Sequence, residues 1–501
     1  MSKFNSTKVG TKTATYEGGV GYTKTPELEL VQLLITSMLA KDKFYESEAE
    51  TVSRLQELYK QCNKKDITFF PKAAIYARNN FYLRSISHLC SAIVAKGITD
   101  GVYSDYNRGD KRSFLRNYFK KVVARADDIT ESISAYKNIA GIKGKIRLPH
   151  AMVRGFSDNQ ATWDEYTYAK YRQQDKEINM MDAVRMTHPK VTDKNKSALE
   201  KLVAGTLRNE TTWEATVSKA GKSENKEAAK KDAWRAFLDK GEKIEYFALL
   251  RNLNNIIAEG DSEMIAKASE LLCNEKLIKR SKVLPFRFLT AWKALPSDAP
   301  RKIQLALNKA ADISLSNVPE FSGRTCVIID ESGSMECGLS GRSGWNTSSD
   351  EITYFDVAMM YGASLFKSNE ADVMLFSGDA WYEKWNAADS VISLATKREA
   401  NGGWTRLDAA FNKLNKAYDR IVVLSDMQTA GSANSALAEY KRKFNCDPYV
   451  YSFDLSGYKA TAFSEGKTIQ IGGFSEQAFD VMQKTEIDKN ALVNEVRAIE
   501  I

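Results

Sequence analysis

The stretch CVIIDESGSM, Cys326 to Met335, alternates oxygen-bearing side chains with other residues: Asp330, Ser332 and Ser334. Behind an apolar strand, oxygens at this spacing can converge within one turn. A carboxylate with hydroxyls suits a hard divalent cation, Mg2+ or Mn2+, which prefers oxygen ligands. Two further positions offer the same chemistry. Asp426 follows the apolar run RIVVLS, and Thr405 sits in NGGWTRLD, where Gly402 and Gly403 permit close backbone approach. The expected metal set is Asp330, Ser332, Ser334, Thr405 and Asp426. Asp and Ser also serve as ordinary turn residues at strand ends, but three such loops behind apolar runs weigh against that account.

Other chemistries find less material. A serine nucleophile at Ser332 or Ser334 lacks G-x-S-x-G, and no histidine follows His188. A metal-dependent nuclease on Asp330 and Asp426 lacks a further carboxylate cluster. Gly221-Lys222-Ser223 has the tail of a phosphate-binding loop, but Thr216 stands where that loop needs its first glycine. GGVGYTKT near the N-terminus has no preceding strand and reads as a flexible lead-in. No catalytic residue is expected: the chain is read as a binding protein, not an enzyme.

The elements that must hold these residues differ across the chain. After Pro319, short β-prone runs alternate with helical segments: TCVIID, YFDVAMMYGASLFK, ADVMLFS, RLDAAFNKLNKAY, RIVVLSD, ANSALAEYKRKF, PYVYSFD. This order implies a mainly parallel sheet covered on both faces, with ligands at the carboxyl ends of its strands. From about Thr25 to Ser316 the pattern is helical. TPELELVQLLITSML opens with Thr25 as cap and Pro26 at the first helical position, then carries an apolar stripe from Leu28 to Leu39. Gly97 and Gly260 read as helix stops. Many helices of ordinary length with short connections predict stacked helical pairs, a solenoid or a bundle.

Charge separates along the same line. From Glu320 onward there are 18 Lys and Arg against 26 Asp and Glu, a net of −8, so a total of +8 leaves +16 on the preceding residues. A basic half beside an acidic half points to a polyanion such as nucleic acid. The six cysteines are dispersed without a C-x-x-C pair, which fits reduced thiols. The N-terminal residues lack the apolar core of a secretory signal, and no apolar run approaches the roughly 18 residues of a membrane span. A cytoplasmic protein with no membrane partner is expected.

The motif D-x-S-x-S followed by Thr405 and Asp426 resembles the metal-ion-dependent adhesion site (MIDAS) of the von Willebrand factor A-type domain. One departure is Trp404, where that family passes directly from glycine to threonine. Three earlier segments, YAKYRQQDKEINMMDAVRMTHPK, EYFALLRNLNNI and LCNEKLIKRSKVLPFRFLTAW, resemble the TROVE domain of Ro-type ribonucleoproteins, in which TROVE precedes an A-type domain. The resemblance implies residues 1–318 as an all-α ring of HEAT-like helical repeats and 319–501 as the α/β A-type domain that closes it, in a monomeric protein. It implies binding of small noncoding Y-like RNA on the outer surface and of single-stranded 3′ ends of misfolded RNA in the central hole, for RNA quality control or scaffolding of RNA decay. It also implies an exoribonuclease such as polynucleotide phosphorylase as a partner, and an acidic protein ligand at the metal.

Residue by residue, the family's Y RNA surface maps onto Lys170 in KYRQQ and His188 in RMTHP. Gln174 replaces a second basic residue, and Arg172 lies beside it. With Lys176, Arg185 and Lys190 these can neutralise phosphates, while His188 can bond to or stack on a base. Lys120, Lys121, Lys145 and Arg147, together with Arg125, Lys143 and Arg154, are expected at the hole or its rim. Arg78 and Arg84 flank NNFYL as further candidates beside aromatic rings. The alternative reading makes the chain a metal-dependent protein-binding scaffold, with RNA secondary.

Overall fold

A computed structural model describes residues 12–15, 18–36, 48–107, 111–208, 213–281, 283, 285–339, 351–458, 461–463 and 468–472, and positions 479, 482–483, 486 and 490–501. It divides into two compact units. The first combines the N-terminal segment through Thr36 with Ala220–Leu492; the second combines Val52–Lys219 with Val493–Ile501. The change from helical to α/β texture near Pro319 therefore falls inside the first unit.

In that unit the apolar runs form the expected strands: β3 (Thr325–Asp330), β4 (Asp372–Phe376), β6 (Arg420–Ser425) and β7 (Tyr449–Asp454). Two short edge strands complete the sheet, β5 (Ala380–Glu383) and β8 (Thr468–Gly472). The order is β5-β4-β3-β6-β7-β8, with β5 antiparallel and every other pair parallel. Alternation along β3 decides which layer each side chain meets. Cys326 and Ile328 join Leu407, Phe411, Leu437 and Tyr440 of helices Leu407–Lys413 and Ala433–Phe444. Ile329 points the other way, toward helix Tyr354–Asn369. A Cβ on Gly362 would lie 2.5 Å from its Cδ1, so glycine is what lets helix and strand approach. Strand order reverses at β3, which places the site loops where an open α/β sheet forms its crevice.

GGVGYTKT is not a flexible lead-in. Lys12–Ala14 (β1) pairs antiparallel with Val20–Tyr22 (β2). The hairpin packs on the loop after β6, where Thr15 Oγ1 donates to the Thr429 carbonyl at 2.7 Å and the Val20 amide to Gly431 at 3.3 Å. A Cβ on Gly19 would sit 1.9 Å from the Thr429 oxygen. Lys24 then makes a buried ion pair with Asp454 at 2.8 Å.

The second unit is helical among its described residues. Its helices pack on the next but one: Ser85–Thr99 on Asp127–Ile139, and Arg112–Lys121 on His150–Gln160. This is the stacking of helical repeats. Gly97 does not stop a helix. It lies inside Ser85–Thr99, and the Tyr59 hydroxyl occupies the place of its missing Cβ at 2.0 Å. Gly260 does end Leu253–Glu259. No helix among the described residues is long and apolar enough to cross a membrane.

Candidate metal centre and nucleic-acid face

The strand β3 ends in Asp330, whose Oδ1 accepts the Ser332 amide at 2.9 Å and turns the loop. Its Oδ2 accepts the Ser425 hydroxyl at 2.5 Å, fixing the carboxylate against the end of β6. The Ser332 and Ser334 hydroxyls lie 3.4 Å apart. Ser332 bridges Gly403 in parallel, and the Gly333 amide donates to the Gly403 carbonyl at 3.3 Å, which brings the glycine loop onto the serine loop. Thr405 is two residues beyond that bridge. Its carbonyl accepts the Thr429 hydroxyl at 3.1 Å and the Ala430 amide at 2.9 Å, tying it to the third loop. That loop carries Asp426, whose Oδ1 accepts the Gln428 amide at 3.2 Å.

All five expected metal ligands are thus gathered by three mutually bonded loops, and each is at most 5% exposed. The decisive atom is Asp426 Oδ2, which is buried and accepts no hydrogen bond. Burial first, and then the charge of Asp330, push the Asp426 carboxyl well above the usual range, with the Ser334 hydroxyl and Gln428 amide offsetting this only in part. Two buried carboxylates with Ser332, Ser334 and Thr405 on the adjoining loops make an oxygen-rich donor set whose chemistry suits a divalent cation. Among the described residues no group of three His, Cys, Asp or Glu gathers, so hydroxyls must complete any such cation's shell.

Three contributors were not singled out in the sequence. Ser425 supports Asp330, and its only signal is adjacency to Asp426. Glu331 is wholly buried, held by Asn401, and its acid is pushed up to about 7 by burial, against Arg398 and with Asp330 and Glu383. Lys24 neutralises Asp454 behind the site. Trp404, by contrast, is 73% exposed beside Thr405.

In the second unit, helix Glu165–Lys170 is capped by Asp164, whose carboxylate accepts the Thr167 amide at 2.8 Å. Lys170, in its last turn, lies over the exposed Tyr166 ring. Arg172 and Lys176 follow in the connecting turn. Helix Met180–Thr187 opens on an Asn179–Asp182 capping box and ends at His188, which takes a left-handed conformation with φ 47°. Arg185, His188 and Lys190 are all exposed. Ser157 donates to the His188 carbonyl at 3.4 Å and Asn159 to the Lys120 carbonyl at 3.0 Å, so helix His150–Gln160 holds both segments. Lys120, Lys121, Lys145 and Arg147 are exposed as well, and Lys121 donates to the Glu500 carbonyl at 2.8 Å.

Arg78 is a different matter. It is 3% exposed and bonded to Asp128 at 2.8 Å, and Arg84 reaches Asp127 at 2.6 Å. Asp128 also takes His88 Nε2 at 2.9 Å and the Ala124 and Arg125 amides. Arg78 is therefore structural: its charge is already spent on a buried acid.

The model of the TROVE domain family matches residues 22–233 and 206–319. The chain belongs to the TROVE domain family. The crystal structure of the Deinococcus radiodurans Ro (RSR) protein superposes with a TM-score of 0.60 at 19% identity, over 94% of this chain and 100% of that one. This TROVE chain therefore has the fold of a Ro protein, helical repeats followed by a mostly parallel α/β sheet.

Proposed function

We propose that this TROVE protein binds RNA without transforming it. Its ligands would be a small noncoding Y-like RNA and, separately, single-stranded 3′ ends of misfolded RNA, in quality control or as a scaffold for RNA decay. The observation that carries this is the exposed group Lys176, Arg185, His188 and Lys190, with the half-buried Lys170 at the end of the preceding helix, in a part of the chain with a net charge of +16. Lysines and arginines supply sequence-independent phosphate contacts, while Tyr166 and His188 offer rings to unpaired bases. A polynucleotide phosphorylase-type exoribonuclease is the partner this role calls for, and the cytoplasm its setting.

The test is binding of a structured RNA bearing a free 3′ tail, measured from about 50 to 200 mM salt. Micromolar or tighter affinity that falls steeply with salt and on replacing Lys170 and His188 with alanine is expected. Indifference to salt, tail and both substitutions overturns the reading.

A second role is favoured by the orphaned Asp426 Oδ2. Asp330, Ser332, Ser334, Thr405 and Asp426 would hold Mg2+ or Mn2+, and the cation would present a positive centre to an acidic group of a protein partner. The chain's own part is to fix the oxygens, with Ser425 holding Asp330 and Thr429 holding the Thr405 loop. Pull-down with Asp330→Ala and with chelator tests this; an unchanged partner set removes it.

A further inference from the structure

Beyond the end of helix Glu165–Lys170, two arginines meet without an acid between them. Arg172 and Arg208 both donate through Nη1 to the carbonyl oxygen of Leu207, Arg208 at 3.2 Å, and Arg208 Nη1 also reaches the Gly205 carbonyl at 2.9 Å. Sharing one acceptor keeps the two Nη1 atoms within about 6.5 Å of each other. Among the described residues neither guanidinium has a carboxylate partner, in contrast to the Arg78–Asp128, Arg84–Asp127, Arg116–Asp158 and Arg125–Asp127 pairs of the same unit. Burial, and then the charge of Arg208, hold Arg172 below the ordinary arginine value. A half-buried arginine beside an exposed one, both satisfied only by carbonyl dipoles, is a like-charged pair that an anion relieves.

A cavity of about 160 Å3 opens beside Arg172. It is lined by Gln174 and Asn179 and by the apolar Met181, Leu202 and Val203. Asn179 already uses its side-chain oxygen to cap the next helix, which leaves its amide NH2 as a donor. Val203 is 69% exposed, an apolar wall open to solvent. The lining thus joins Arg172, two amides and an apolar wall, and Arg208 reaches its edge through the Gly205 and Leu207 carbonyls.

We propose that this cavity is a single-nucleotide subsite, in which one phosphate bridges Arg172 and Arg208 and the attached base lies against Met181, Leu202 and Val203 with Gln174 and Asn179 at its edge. Two planar guanidinium forks can clasp one phosphate bidentately, which lysine cannot do. The inference rests on the RNA-binding reading above and adds Arg208 and the cavity to it.

The experiment uses the full chain and a fluorescent single-stranded RNA dodecamer, with inorganic phosphate and AMP in parallel arms. Arg172→Met and Arg208→Met are each expected to weaken RNA binding about tenfold and to lower the salt slope by about one. The double variant should lose little more, because the two share one phosphate. Val203→Asp, at an exposed position that does not threaten folding, should weaken binding similarly. If wild type binds RNA and Arg208→Met and Val203→Asp bind it equally well, the subsite is wrong while the RNA-binding reading stands. If wild type binds no RNA, the RNA-binding reading itself fails. Stabilisation of wild type by phosphate or AMP alone, lost in Arg208→Met, would then assign the pair to a free phosphate ligand and overturn the RNA subsite.

Discussion

Replacing Asp426 with Asn should stabilise the metal-free protein and abolish its response to metal. The Asp426 carboxyl is buried, faces Asp330, and leaves Oδ2 without a hydrogen bond. An amide keeps the Oδ1 contact to Gln428, removes one of two neighbouring acids, and turns its NH2 toward the serine and Asp330 oxygens. Relief of desolvation and like-charge repulsion is worth about 1–3 kcal/mol. Wild type at 100 times the dissociation constant of Mg2+ or Mn2+ gains about 2.7 kcal/mol by linkage. At about 2–3 °C per kcal/mol for a unit of this size, that is a rise of about 5–8 °C, which the variant should lack. The assay is a thermal melt in EDTA and then across a titration of each cation. Asp426→Asn melting below wild type in EDTA, or gaining as much from the cation, would refute the account of a charge-frustrated cation pocket.

Further outcomes follow from the packing. Asp128→Ala should destabilise the helical unit by about 3–5 kcal/mol, because Arg78 and His88 lose their buried partner; hydrogen exchange of helices Ser85–Thr99 and Asp127–Ile139 reads it. Burial raises the Asp128 carboxyl, but the His88 hydrogen bond, Arg78 and the Arg125 amide outweigh it and hold the group below the usual carboxylate range. Its stabilisation is then present above an unfolded value near 3.9 and lost as pH falls through the lowered folded value, so acid melts of wild type should steepen below about pH 4 and those of Asp128→Ala should not. Gly155→Ala places a Cβ 2.6 Å from the Arg116 carbonyl and 2.6 Å from Phe119 Cβ, forcing apart the two helices that carry Lys120 and support His188. A loss of about 1–3 kcal/mol in chemical denaturation is expected. Gly19→Ala drives a Cβ into the Thr429 carbonyl and should unseat the N-terminal hairpin, seen as protease cleavage before Lys24 at concentrations that leave wild type intact.

Much of the candidate metal site was legible because its signal is local. Each of Asp330 and Asp426 stands at or just past the end of an apolar run, and those runs are the central strands β3 and β6, buried on both faces. The edges were less legible. AWYE and TIQIG are short, carry polar residues, and were not distinguished from connections. Facing was not readable at all. Arg78 and Lys170 look alike in the sequence as bases on helices, yet Arg78 is buried against an aspartate 50 residues away while Lys170 is only half-buried, and nothing near either one marks the difference. Lys24 is the extreme case, since its partner is 430 residues distant. Glu331 shows the converse: inside a motif read for its other three positions, a carboxylate buried by tertiary packing had no distinguishing mark.

The hairpin seated on the Asp426 loop also sets an order of events during synthesis. Thr15, Gly19 and Lys24 leave the ribosome early, but Thr429, Gly431 and Asp454 emerge after some 400 further residues. Val52–Lys219 can begin to fold in that interval, while the hairpin of the first unit lacks the loop it packs on. The helical unit in turn awaits its own late segment, since Tyr76 bonds Glu495 at 2.8 Å and Lys72 the Arg497 carbonyl at 2.7 Å. A premature stop near residue 425 would therefore leave both units incomplete, one without its hairpin's seat and the other without its final helix.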